Sequence, residues 1–219
     1  VNFPLSELGY RFRGLKKGVK GWDVVALQKG LLLLGYRLPR FGADGDFGGE
    51  TDEAVATFQK ANRLVVDGIA GIATQRQVGK KVIKLLAGGN PLIEEMATGQ
   101  VEAECGWQLG NYTPPYPNGH RDLGPVQLNL DPTPENLLKA FDPARIGDLI
   151  ARYLKKHDEY YLKAGARTER QAWSLAAGSW NAPAWSDTLA RGGTLRPEQV
   201  AHLSAYVARV TVYVDWNAI

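Results

Sequence analysis

Gln100–Leu130 reads QVEAECGWQLGNYTPPYPNGHRDLGPVQLNL, and how this stretch is parsed decides the rest of the chain. Ile93, Ala97, Val101 and Glu104 are spaced four, four and three residues apart, so at about 100° per residue they share one face of a helix ending at the acid. Glu102 falls on the opposite side, where a solvated surface acid is expected. Burial of Glu104 without a cationic partner would raise its pKa and suit it to general-acid work. A carboxylate capping backbone groups at the helix end is the plainer reading, since a perturbed acid can also be structural. A loop rich in Pro, Gly and Asn follows and leads into Asp122-Leu123-Gly124-Pro125-Val126-Gln127-Leu128-Asn129.

Beyond this stretch the patterning is helical. Thr133-Pro134-Glu135 predicts a cap with proline at the first helical position. Ile146, Leu149, Ile150, Tyr153 and Leu154 mark an amphipathic helix expected to end near Gly165. Thr168 to Gln171 reads as a capping box for a helix with Trp173, Ala176, Ala177 and Trp180 on one side, stopping at Asn181-Ala182-Pro183. A last helix begins near Pro197 and carries Val200, Leu203, Val207, Val210 and Val214. Few credible strands are present, so the fold class expected is all-α or mainly α.

Upstream, Val24, Leu27, Leu31 and Leu34 predict a helix over 22–34, with Gly35 where a left-handed cap would sit. Ala54, Val55, Phe58 and Ala61 give a second apolar face, and Val78, Val82, Leu85 and Leu86 a third. Asp44-Gly45-Asp46-Phe47-Gly48-Gly49-Glu50-Thr51 returns 23 residues later as Asp67-Gly68-Ile69-Ala70-Gly71-Ile72-Ala73-Thr74. Each copy reads as a tight turn that starts a helix, with the threonine as a candidate N-cap. A calcium loop lacks the further acidic ligands at the required offsets. Ala87-Gly88-Gly89-Asn90-Pro91 breaks the third helix, so the domains expected are 1–87 and 91–219 with a linker at 88–90.

Composition excludes several classes. The 26 basic and 23 acidic residues are interspersed, which argues against a nucleic-acid patch. One cysteine, Cys105, and three scattered histidines leave no disulfide and no visible metal or cofactor site. No run of 18 apolar residues anchors the chain in a membrane, and residues 1–14 lack the pattern of a secretion signal, although a segment before Val1 could have been removed. A monomer is expected.

Two resemblances follow from these residues. Val24-x-x-Leu27-Gln28, Leu34-Gly35-Tyr36, Asp44-Gly45-x-Phe47-Gly48-x-x-Thr51, Phe58-Gln59 and Asp67-Gly68-Ile69-x-Gly71-x-x-Thr74 resemble the small three-helix peptidoglycan-binding domain over about residues 18–80. The resemblance implies that Asp44, Phe47 and Asp67 flank a groove for wall fragments. Four later stretches resemble the lysozyme-like lytic transglycosylases of the goose-type superfamily. Glu104-Cys105-Gly106-Trp107 is similar to the family's catalytic Glu-Ser-Gly-Phe, and Gly124-Pro125-Val126-Gln127-Leu128-Asn129 to its Gly-Leu-Met-Gln-Ile-Asn. Ser179-Trp180-Asn181-Ala182-Pro183 is similar to its Ala-Tyr-Asn-Ala-Gly, with departures at Trp180 and Pro183. Tyr206-Val207-x-x-Val210-x-x-Tyr213 is similar to its terminal Tyr-Val motif.

The resemblance implies Glu104 as general acid and base, Gln127 and Asn129 as sugar contacts, Asn181 as a groove residue, and Tyr206 as a hydroxyl near the carboxyl group. Trp107, Trp180 and Trp185 could stack on sugars, although large aromatics at helical spacing also serve as core. The substrate implied is the β-1,4 bond between N-acetylmuramic acid and N-acetylglucosamine. Attack by the muramyl 6-hydroxyl needs no second carboxylate, whereas attack by water calls for one, and Asp122 is the candidate. An aspartate beside glycine is also a turn residue, so Asp122 stays open. The rivals are a cysteine peptidase using Cys105 with His120, His157 or His202, a zinc amidase short of ligands, and a wall-binding protein without activity. Action on the bacterial wall is expected, from host cytoplasm to periplasm for a phage endolysin, otherwise as a periplasmic or secreted enzyme.

Overall fold

A computed structural model describes residues 2–159 and 168–217. Among these, nine helices and one two-stranded antiparallel hairpin form: α1 Trp22–Leu33, α2 Gly49–Ala61, α3 Ile72–Leu86, α4 Pro91–Cys105, β1 Arg121–Leu123, β2 Leu128–Leu130, α5 Pro134–Ala140, α6 Arg145–Asp158, α7 Glu169–Asn181, α8 Pro183–Ala190 and α9 Pro197–Val210. The mainly α expectation holds, while the hairpin and α8 were not foreseen. No helix among the described residues is long and apolar enough to cross a membrane. The expected end of α6 near Gly165 lies outside the described residues.

The chain divides into two compact units, one of residues 1–86 and 104–146, the other of 87–103 and 147–219. Residues 104–146 thus cluster with the N-terminal residues 1–86 rather than with 147–219. The physical reason is aromatic packing within the first unit. Trp22 of α1 stacks on Phe141 at 5.5 Å, and Phe141 meets Tyr112 edge-on at 6.3 Å. Trp107 lies over α3, its ring 3.0 Å from where a Cβ on Gly79 would stand. Arg76 and Lys80 cover the same ring at 5.6 Å. Buried aromatics of this size contribute about 1.5–3 kcal/mol each, enough to fix the later segment on the module.

In α1, Val24, Leu27 and Leu31 are buried as predicted. Its end is a left-handed cap at Gly35, φ +87°, with the amide of Tyr36 donating to Leu31 and that of Gly35 to Leu32. On α2 and α3, Val55, Phe58, Val78 and Val82 are buried, whereas Ala61 and Leu85 face solvent and Ile83 takes the inner place. The threonines do not cap. Helices α2 and α3 start two residues before Thr51 and Thr74, and both hydroxyls are buried acceptors for glutamine amides.

Those glutamines organise the two turns. Gln28 Nε2 faces Asp44 Oδ1 at 2.9 Å, the Asp46 carbonyl at 3.0 Å and Thr51 Oγ1 at 2.9 Å, while its Oε1 accepts from the amide of Gly45. Gln59 repeats this with Asp67 Oδ1 at 2.8 Å, the Ile69 carbonyl and Thr74 Oγ1, and accepts from the amides of Asp67 and Gly68. A buried amide left without these partners would cost about 1–3 kcal/mol, so each helix start depends on its glutamine.

In the second unit, Asn90 Oδ1 accepts from the amide of Ile93 and opens α4, whose Ile93, Ala97 and Val101 are buried as predicted. Thr168 Oγ1 accepts from the amide of Gln171 at the start of α7. Val200 and Leu154, expected on inner faces, are exposed. Asn181 ends α7, and Pro183 at the first position of α8 restarts a helix at once, which explains the element that the sequence reading passed over.

Candidate active site

Glu104 is the penultimate residue of α4 and is half-buried. Glu102 is half-buried too, and its carboxylate accepts from the Tyr213 hydroxyl, so the expected contrast with a solvated Glu102 does not hold. Next to Glu104, Cys105 is buried, and burial pushes its thiol up to about 12. A thiol so raised supplies almost no thiolate at neutral pH, which removes the nucleophile from a cysteine-peptidase reading.

After α4 the chain turns through two left-handed residues, Gly106 at φ +56° and Trp107 at φ +70°. This turn carries the Trp107 indole onto α3, where it is 2 % exposed. Trp107 is therefore core rather than a sugar-stacking surface.

The hairpin follows. Its register pairs Asp122 with Asn129 and Leu123 with Leu128. Successive side chains alternate faces, so Arg121 and Leu123 are buried while Asp122 and Asn129 lie on the outer side. Arg121 Nη1 donates to the carbonyls of Ser6 and Thr113, both at 2.8 Å, which satisfies an inward cation. The connecting turn needs Gly124, because at φ +74° an added Cβ would stand 1.8 Å from the Ala140 carbonyl oxygen. Gln127, expected to touch sugar, donates to the Gly124 carbonyl at 2.7 Å and the Asn111 carbonyl at 3.3 Å, which assigns its amide nitrogen to closing the turn.

On the outer side the polar groups are linked. Asn129 Nδ2 donates to Asp122 Oδ1 at 2.8 Å, and the Tyr116 hydroxyl donates to Asp122 Oδ2. Asn129 Oδ1 lies 3.3 Å from His120 Nδ1, and Thr113 Oγ1 accepts from the Asp122 amide at 3.0 Å. The carboxylate beside Tyr116 raises that phenol above its ordinary range. Tyr116 was missed from sequence, where it reads as a residue of a Pro/Asn/Gly loop, and His120 was considered only as a base for Cys105.

In the first unit Asp44 and Asp67 are hubs of the turns, and hydrogen bonds from Ile69 N–H and Gln59 hold the Asp67 carboxyl below its usual range. Phe47 is fully buried, so it is core and not a contact. A small cavity of about 140 Å³ borders Asp44, Asp46, Gly48 and the exposed Phe41. Asp46 pairs with Lys20 at 2.5 Å. Among the described residues no three His, Cys, Asp or Glu side chains group to hold a metal ion. Gln28 and Gln59 are the residues that sequence reasoning left without a role, and their signal was an amide directly after a buried apolar residue in both helices.

In the second unit Tyr206 is buried, and its hydroxyl accepts from Gln100 Nε2, whose Oε1 accepts from the Tyr153 hydroxyl. Asn181 Oδ1 lies 3.0 Å from His202 Nε2, and Trp185 meets that imidazole edge-on at 5.7 Å. Trp180 is half-buried, with the Arg152 guanidinium 5.3 Å from its ring centre.

Residues 20–78 match the family model of a peptidoglycan binding domain. The chain is 50% identical over 62 residues to the N-acetylmuramoyl-L-alanine amidase CwlL of Bacillus licheniformis, covering 28% of this chain and 17% of that protein. It is 37% identical over 101 residues to a "Probable N-acetylmuramoyl-L-alanine amidase" of the same organism, covering 40% of this chain and 28% of that protein. Among solved structures, the Burkholderia AP3 phage endolysin aligns at 16% identity and a TM-score of 0.29, covering 91% of this chain and all of that one. The chain thus spans under a third of the length of either curated relative.

Proposed function

We propose that this chain binds peptidoglycan through residues 20–78 and cleaves the β-1,4 bond between N-acetylmuramic acid and N-acetylglucosamine, as the lytic enzyme of a phage or a bacterium. What chiefly supports the reading is one compact unit that holds the segment matching the wall-binding family, the half-buried Glu104 at a helix end and the polar hairpin that follows it. Glu104 gives its proton to the glycosidic oxygen as the C1–O bond breaks, and the electron pair leaves with that oxygen. The muramyl 6-hydroxyl then attacks C1 and loses its proton to the Glu104 carboxylate. The product is a 1,6-anhydro sugar, no water is consumed, and Glu104 is regenerated. Asn129 serves as a sugar contact from the hairpin.

The names of the two curated relatives favour a second reading, cleavage of the amide between the glycan and its peptide. Against it, the 62-residue similarity is close in length to the wall-binding segment, the 101-residue one covers only 28% of that relative, and such a module can be joined to different chemistries. Weighing the products of purified peptidoglycan separates these. Anhydro-muropeptides are expected; hydrolysed reducing ends would assign the second step to water, and released stem peptides with intact glycan would defeat the proposal.

A further inference from the structure

The role of Asp122 decides between one and two catalytic carboxyls. Both of its oxygens already accept hydrogen bonds from within the hairpin, one from Tyr116 and one from Asn129. Its backbone amide is tied to Thr113 Oγ1, so the residue is held at both ends. An aspartate carboxylate only accepts, so it compels the Asn129 amide to present Nδ2 to it and Oδ1 outward. Asn129 Oδ1 in turn faces His120 Nδ1, which must then carry the hydrogen of that bond, leaving Nε2 at the other edge of the ring. Tyr116 is placed by its own loop: its amide donates to the His120 carbonyl, and its carbonyl accepts from Gly119.

We infer that Asp122 is a positioning residue, which with Tyr116 fixes the amide of Asn129 and the tautomer of His120 so that the hairpin offers a preset hydrogen-bonding edge to a sugar ring. This rests on the glycan-cleaving reading and deepens it: one reacting carboxyl, Glu104, and an edge that hydrogen-bonds the sugars of the strand. Preset donors and acceptors bind a hydroxylated ring without the cost of ordering them at the moment of binding.

The test compares wild type with Asp122→Asn and Tyr116→Phe in cleavage of soluble glycan fragments and, by calorimetry, in binding of the tetramer of N-acetylglucosamine. Asp122→Asn keeps the shape but lets the Asn129 amide turn over, so KM and the tetramer Kd should rise about tenfold, with kcat falling less than about threefold. Tyr116→Phe should raise both by about threefold. The low-pH limb of kcat/KM should stay in place in Asp122→Asn. A kcat loss of about a hundredfold or more with unchanged Kd, or a vanished low-pH limb, would make Asp122 a reacting acid and overturn the inference. Tyr116 supplies a readout independent of turnover. Its phenol, read as the ultraviolet titration of wild type minus Tyr116→Phe, should ionise above the ordinary tyrosine range and return towards it in Asp122→Asn. An ordinary titration in wild type, or no tetramer binding, also overturns the inference. If wild type binds the tetramer in the expected ratios but leaves glycan uncut, the glycan-cleaving reading fails while the positioning edge stands.

Discussion

At Asp67 a carboxylate accepts from the amide of Gln59, which is almost fully buried; at Asp122 a carboxylate accepts from the amide of Asn129, which faces solvent. The bonds are the same length, 2.8 Å, and the chemistry is the same. What differs is where the third partner lies. Gln59 spends its remaining capacity on Thr74, the Ile69 carbonyl and two backbone amides, so the turn is closed. Asn129 spends its oxygen on His120 at the surface. A closed network stabilises a fold, and an open one can serve a ligand.

The comparison can be broken most severely by removing residues 1–87. A sequence-level division into modules predicts weaker wall binding with catalysis spared. Packing of Trp107 on α3 and of Phe141 on Trp22 predicts instead that residues 88–219 alone lose cooperative unfolding and all measurable cleavage of soluble fragments. A remnant with a sharp denaturation transition and full activity would contradict this.

Gln59→Leu orphans buried partners and should lower stability by about 3 kcal/mol in urea denaturation, whereas Asn129→Ala should change it by less than about 1 kcal/mol. Equal losses would erase the distinction between closed and open networks. Cys105→Ala probes the buried thiol beside Glu104. It should cost about 1 kcal/mol and leave glycan cleavage within about twofold, while a collapse of activity would restore the thiol as a reacting group.

The smallest effect concerns pH. The Asp67 carboxyl titrates lower in the folded chain than when unfolded, so its contribution is fully present above the unfolded value, about 3.9, and fades as pH falls through the lower folded one. Asp67→Asn should therefore lower the urea midpoint at pH 7 more than at pH 3, and a decrement that grows on acidification would show the sign to be wrong.

Much of the fold was legible because helices announce themselves. The steps of three and four in Val24, Leu27 and Leu31, the glycine at 35 and the Thr133-Pro134 start are local signals, and all appear in the structure. The grouping of residues 104–146 with the N-terminal module was not legible, since it depends on aromatic pairs such as Trp22 and Phe141 that lie far apart in the chain. At the site, Glu104 was singled out by periodicity, yet its contrast with Glu102 failed, since Glu102 is half-buried too and accepts a hydrogen bond from Tyr213, more than a hundred residues away. Phe47 was placed at a groove by the resemblance and Trp107 was left between a stacking surface and core, and burial makes both core. Three-residue strands are too short to show alternation, which hid the pairing of Asp122 with Asn129.

The central claim is that Glu104 is the group that cleaves glycan. Digesting purified peptidoglycan with wild type and with Glu104→Gln, and weighing the products, tests it directly. Wild type should release anhydro-muropeptides and Glu104→Gln should release them at least about a thousandfold more slowly, with wall binding retained. Cleavage at the wild-type rate by Glu104→Gln, or release of stem peptides from uncut glycan by both proteins, would contradict it.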